Sequence, residues 1–225
     1  MKSVGCSYTY LALGDSATVG LATPPGQGYA SLIAHTLSKR PRSFCFSRVS
    51  GNGWRSVDLA VALNINPNRD KMISQTDLIT LFIGGNDLLF AYVLFLFSGS
   101  YTVLDRAIDR FSSTHHRLLL LLRSRSNSPI YTFNLYNPFP QDALARTYVS
   151  RLNREIERNA ASLNVPVIDL ARLFSGKERE WIEGYRNGRL SDLPLIGRKP
   201  IHPNAAGHRA IFEAFWTRFA SSGSH

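Results

Sequence analysis

Acidic side chains are scarce in this chain: 16 Asp and Glu stand against 26 Lys and Arg, a formal net charge of +10. Such a balance invites a nucleic-acid reading, but the basic residues are scattered from Arg40 to Arg218 with no basic run and no nucleic-acid motif. The charge is therefore read as a solvated, Arg-rich surface, and no nucleic-acid partner is expected. Cysteine is scarcer still. With only Cys6 and Cys45, no CxxC and no His/Cys spacing of the zinc type, a disulfide framework or structural metal has little support, and both cysteines read as buried small hydrophobes. Long apolar runs are absent as well. Leu88 to Phe97 and Leu118 to Leu122 fall far short of the ~18 residues of a membrane span, so a soluble protein without an integral membrane segment is expected. The N-terminus "MKSVGCSYTYLALGDS" lacks the apolar core of a secretory leader, which points to the cytoplasm, or to secretion if a leader has been trimmed away. Neither a G-x-S-x-G elbow nor a GK[ST] phosphate loop occurs, and "GNG" and "GQG" are incomplete as dinucleotide fingerprints, so no cofactor is expected.

What is present is a globular composition, 44% hydrophobic and 19% charged over 225 residues. No repeat, low-complexity block or dividing linker interrupts it, and residues 1–225 read as one domain. Tyr8–Leu13, Phe44–Val49, Leu78–Ile83, Ile130–Leu135 and Val165–Leu170 read as buried or half-buried strands. Between them lie stripes at helical spacing: Tyr29, Leu32, Ile33 and Leu37; Leu144, Tyr148, Leu152, Ile156 and Leu163; and finally Ile211, Phe212, Phe215 and Phe219. Alternating strands and helices imply a parallel sheet with helices on both faces, a three-layer α/β/α sandwich of the doubly wound type. The segment Ser175–Pro200 is the least regular and reads as a surface excursion. The stripe Leu88–Phe97 reads as core, with one side available to line an acyl pocket.

In an open parallel sheet, ligands bind beyond the carboxyl ends of the strands. After the first strand comes "GDSATVG" with Ser16; after the second, "SGNG" with Gly51; after the third, "GGND" with Asn86; after the fourth, "YNPFP" with Tyr136 and Asn137. "IHPNAAGH" then sets His202 just before the last helix. A serine nucleophile needs a base and donors aimed at the developing oxyanion. Ser16 and His202 are the candidate catalytic pair. The N–H groups of Ser16 and Gly51 and the Asn86 amide are the candidate oxyanion hole, and Tyr136 and Asn137 are candidate substrate-binding walls. Asp15 shapes the nucleophile turn. His208 reads as structural, because no acidic or thiol partner is spaced with the two histidines as a metal site requires.

In this order, "GDS", the "SG" turn, "GGND" and "HPNAAGH" resemble the SGNH, or GDSL-type, hydrolases, over about Leu11 to Ala214. The resemblance implies a flavodoxin-like five-stranded sandwich and hydrolysis of carboxylic esters of short to medium acyl chain through an acyl-enzyme. Alternatives on the same fold are a deacetylase, a thioesterase, or a binding protein that has lost its chemistry. That last reading arises from one departure. The family pattern is D-x-x-H, and here Lys199 stands where the Asp belongs. Three arrangements stay open for His202: a backbone carbonyl near Arg198 or Lys199 accepts its Nδ1 proton, Asp192 folds back as a displaced acid, or nothing orients the ring. Oligomeric state is beyond this reading.

Overall fold

The computed structural model describes residues 6–194 and 197–223. Its strands are β1 (Tyr8–Gly14), β2 (Phe44–Ser50), β3 (Leu78–Phe82), β4 (Ile130–Phe133) and β5 (Val167–Ile168), all parallel, in the order β2-β1-β3-β4-β5. The expected five-stranded α/β sandwich is present. In β1 and β3 side chains pointing to both faces are buried, as they must be where helices cover a parallel sheet on each side.

The helices are α1 (Ser16–Val19), α2 (Tyr29–Ser38), α3 (Ser56–Ile65), α4 (Arg69–Ser74), α5 (Gly85–Ser98), α6 (Tyr101–Arg125), α7 (Ala143–Ser162), α8 (Leu170–Phe174), α9 (Glu178–Trp181) and α10 (Ala205–Ser221). One layer holds α2 and α10, packed on each other; the other is built around α6, which packs on α3, α5 and α7. Tyr29, Ile33 and Leu37 of α2, Leu152 and Ile156 of α7, and Ile211, Phe215 and Phe219 of α10 are fully buried against the sheet. Their helical spacing predicts that placement.

Four sequence readings change. The last strand is two residues long because Asp169 accepts from the N–H of Arg172 and starts α8. Cys6 and Cys45 form a disulfide instead of packing as free thiols, their Cα atoms 5.8 Å apart across the start of the β1–β2 pair. The Leu88–Phe97 stripe is not core: only Ala91 of α5 is fully buried, since among the helices α6 is the one packed extensively along α5. The excursion Ser175–Pro200 contains α9 and a short 3-10 turn, Leu190–Asp192, and buries Ile182 and Asp192. Its Leu195 and Ile196, like the first five residues of the stretch read for a leader, fall outside the described residues.

Candidate active site

Sheet order places a topological switch between β1 and β3, whose chains leave toward opposite faces. Ser16 follows β1 and Asn86 follows β3, so the two motifs flank that switch. The nucleophile turn is tight. A Cβ on Gly14 would lie 2.2 Å from both the carbonyl oxygen of Phe82 and Oγ1 of Thr18, so only glycine lets β1, β3 and α1 approach this closely. Asp15 caps α1 by accepting from the N–H of Ala17 at 2.9 Å, which leaves Ser16 as the first residue of the helix with its N–H at the mouth of the crevice. Burial raises the Asp15 carboxyl to about 7 against the pull of that same hydrogen bond.

His202 arrives from the far end of the chain. Its Nε2 lies 3.0 Å from Oγ of Ser16, across 186 residues of sequence. The loop carrying it is held by backbone contacts. The N–H of Glu183 donates to the carbonyl of His202 at 2.9 Å, and the N–H and Nδ2 of Asn204 donate to the carbonyls of Trp181 and Glu180, both at 2.8 Å. Asn204 in turn caps α10 by accepting from Gly207 at 3.0 Å. From the opposite side the Tyr136 hydroxyl donates to the carbonyl of Ile201 at 2.5 Å, its ring stacked on Phe174 at 4.4 Å. Burial pushes the His202 pKa down from its ordinary value, and the Lys199 ammonium pushes it further.

Neither acceptor considered from sequence reaches the ring. The Asp192 carboxylate accepts from the N–H of Asn187 at 2.8 Å, from Nδ2 of Asn187 at 3.2 Å and from the N–H of Arg189 at 3.1 Å, closing its own turn. The Lys199 carbonyl accepts from the N–H of Ile201 at 2.9 Å. Among the described residues nothing hydrogen-bonds Nδ1 of His202.

Asn86 lines the same cleft as Ser16 and His202. One of its amide N–H groups donates to the carbonyl of Trp54 at 3.0 Å, which fixes the amide and leaves the other N–H available. Gly51 is not among the lining residues. It lies under the Trp54 indole, where a Cβ would come within 2.3 Å of Cε2 and Nε1, so its small size sets the position of Trp54 and through it that of Asn86. Asp87, a neighbour that sequence reasoning left aside although "GGND" contains it, accepts from both the N–H and hydroxyl of Ser56, at 2.9 and 2.6 Å, and ties the start of α3 to the start of α5. Tyr136 lines the cleft. Asn137 does not: its Oδ1 accepts from the N–H of Phe139 at 2.9 Å in a turn, and the residue faces a separate polar depression beside Arg154 and Glu157. His208 is buried, accepts from the N–H of Tyr29 at 3.2 Å and stacks on its ring, a structural use that supplies the first turn of α2 with an acceptor. Burial takes its pKa down to about 4.

From Ser16 the cleft runs between α5, α6 and α7 and encloses about 130 Å³. Its walls are Leu88, Leu89, Tyr92, Leu104 and Tyr148, apart from the polar group at the entrance. A hydroxyl bonded to an imidazole, amide donors beside it and an apolar trench behind it are the parts of an acyl-transfer site. Together with the flavodoxin-like sheet they define the class of serine-type esterases and lipases.

Comparison with known proteins narrows the class. Residues 12–210 match the model of the GDSL-like Lipase/Acylhydrolase family, and the chain belongs to that family. It is 27% identical over 214 residues to the spore germination lipase LipC of Bacillus licheniformis, covering 91% of this chain and 92% of that protein. Among solved structures, a lipase from a goat rumen metagenome superposes with a TM-score of 0.75 at 24% identity, covering 94% of this chain and 97% of that one. Phospholipase A1 from Streptomyces albidoflavus superposes with a TM-score of 0.71 at 19% identity, covering 95% and 99%. The protein is thus a carboxylic ester hydrolase of the GDSL type.

Proposed function

We propose that this hydrolase cleaves esters of medium-length acyl chains through an acyl-enzyme formed on Ser16. His202 takes the proton of Ser16 as the serine attacks the carbonyl and gives it to the departing alcohol as the acyl-enzyme forms; it then takes a proton from the attacking water and returns it to Ser16 as the acid leaves. The N–H of Ser16 and the Asn86 amide, which Gly51 positions through Trp54, stabilise the tetrahedral oxyanion. Tyr136 is a positioning residue that acts through the carbonyl preceding His202. The observation that carries this reading is the 3.0 Å contact between Oγ of Ser16 and Nε2 of His202 at the mouth of an apolar cleft. For Nε2 to accept, the neutral ring must carry its proton on Nδ1, and burial together with the Lys199 charge favours the neutral ring. The lipase and phospholipase names of similar proteins support an apolar acyl substrate.

Hydrolysis rates across p-nitrophenyl esters of increasing length test this. Each methylene that enters the cleft should raise kcat/KM by roughly fourfold, the equivalent of a buried CH₂, until the trench is full. Ser16→Ala should lower kcat by at least ~10⁴-fold. A series in which acetate is the best substrate would reject the medium-chain assignment, and turnover that survives Ser16→Ala would reject the nucleophile.

A further inference from the structure

We propose that the exposed apolar face of α5, continued by α3, docks this protein on an anionic phospholipid surface and passes lipid acyl chains into the cleft. The passage into the cleft rests on the ester-hydrolase reading above; the docking does not. Large hydrophobic side chains exposed to solvent are not spread over this molecule. Of the eleven that are well exposed among the described residues, nine lie on α3, α5 or the first residue of α6. Scattered single exposures need no explanation, whereas a concentration of this kind marks an interaction surface.

On α5 the exposed residues include Phe90, Val93, Leu94 and Phe97, spaced i, i+3, i+4 and i+7, so they form one stripe. Asn86 stands one turn before Phe90 in the same register, and the stripe therefore begins beside the amide at the cleft mouth. Phe97, at its far end, is 87% exposed. Leu88, Leu89 and Tyr92 on the adjoining side of the same helix line the cleft. On α3, Val57, Val61 and Ile65 make a second exposed stripe at i, i+4 and i+8. The two helices start side by side, joined by the bonds from Ser56 to Asp87 and by the Arg55 guanidinium 4.6 Å over the Phe90 ring.

Charge selects the partner. From Leu88 to Leu104 no charged residue occurs. The two carboxylates at the root of the face are occupied, Asp58 by Arg55 and Asp87 by Ser56. Behind this uncharged face stands a chain of net charge +10, which is attracted by an anionic surface and repelled by a second copy of itself. No helix among the described residues is long and apolar enough to cross a membrane. At 14 residues α5 suits lying in the headgroup region, with Phe90 and Phe97 at the acyl boundary.

The test is co-sedimentation of the Ser16→Ala protein, which cannot consume lipid esters, with vesicles of phosphatidylcholine containing about three parts in ten of phosphatidylglycerol. The protein should bind these vesicles, and pure phosphatidylcholine vesicles at least about tenfold more weakly. Leu94→Asp with Phe97→Asp should weaken binding by at least about tenfold, as should the milder Leu94→Gln with Phe97→Gln, while Leu120→Asp, on an exposed site elsewhere, should leave it unchanged. In the Ser16 background neither α5 pair should change turnover of p-nitrophenyl acetate more than about twofold, since neither residue lines the cleft. Absence of binding, equal binding to both vesicle types, or binding by both α5 variants as strong as that of the Ser16→Ala parent would overturn the proposal, the last by showing that net charge alone attracts the protein. A dimer that the α5 variants dissociate, with no vesicle binding, would overturn it in favour of a second copy. Vesicle capture by a protein that hydrolyses no ester would sustain docking and defeat the ester-hydrolase reading instead.

Discussion

The two halves of the Ser16–His202 pair are built in different ways. Ser16 is placed by regular structure: a strand buried from Tyr10 to Gly14, a glycine in backbone contact with β3 and a carboxylate cap on the helix that follows. His202 is placed by a loop that hangs from carbonyls at both ends, Ile201 held by Tyr136, Trp181 and Glu180 held by Asn204. No charge faces its Nδ1 among the described residues, and the nearest one named, Lys199, is of the sign that disfavours an imidazolium. The nucleophile is therefore fixed by packing, and the base by backbone hydrogen bonds. A base without an acid behind it forgoes the stabilisation of the ion pair, and the acid's loss in other triads costs about 10⁴-fold in kcat.

Four substitutions break or sharpen that contrast. Gly14→Ala attacks the packed half: its methyl meets a backbone oxygen at 2.2 Å, so we expect a loss of about 2–3 kcal/mol in urea denaturation and roughly 10²-fold in kcat/KM from the displaced serine. Lys199→Asp supplies the missing acid. It should raise kcat by at least about tenfold and move the acid limb of the kcat/KM profile to higher pH, because the limb follows the His202 pKa and that pKa is now held down partly by Lys199. An unchanged profile would mean that position 199 does not reach the ring. Tyr136→Phe removes one suspension point while keeping the stack on Phe174, and should lower kcat by roughly five- to tenfold with little change in KM. Asp192→Asn should change kcat by less than about threefold, because its carboxylate serves Asn187 and Arg189, and should cost about 1–2 kcal/mol in thermal or urea melts. A hundredfold loss of turnover with an intact fold would return Asp192 to the role of a displaced acid.

Much of this molecule was legible in the chain. Strands alternating with helices announced a covered parallel sheet, and motifs following β1 and β3 or preceding α10 announced the crevice, since strand ends are where such sheets bind ligands. Asn137 and the disulfide were misjudged for one reason: adjacency in sequence says nothing about which way a turn faces or which strands meet. The apolar run in α5 was ambiguous because a helix hydrophobic on every side carries no period from which to read its buried face.

The sequence by itself determined the elements, their alternation and the residue types that carry acyl-transfer chemistry, because these depend on local period, backbone freedom and side-chain functional groups. Only the tertiary structure decided that Gly51 acts on Asn86 through Trp54, that Tyr136 suspends the histidine loop, that Asp192 is closed upon its own turn, and that α5 shows its apolar side to solvent. Each of these is a contact between segments distant in the chain or an orientation set by neighbouring helices, and such contacts form only when the whole core closes.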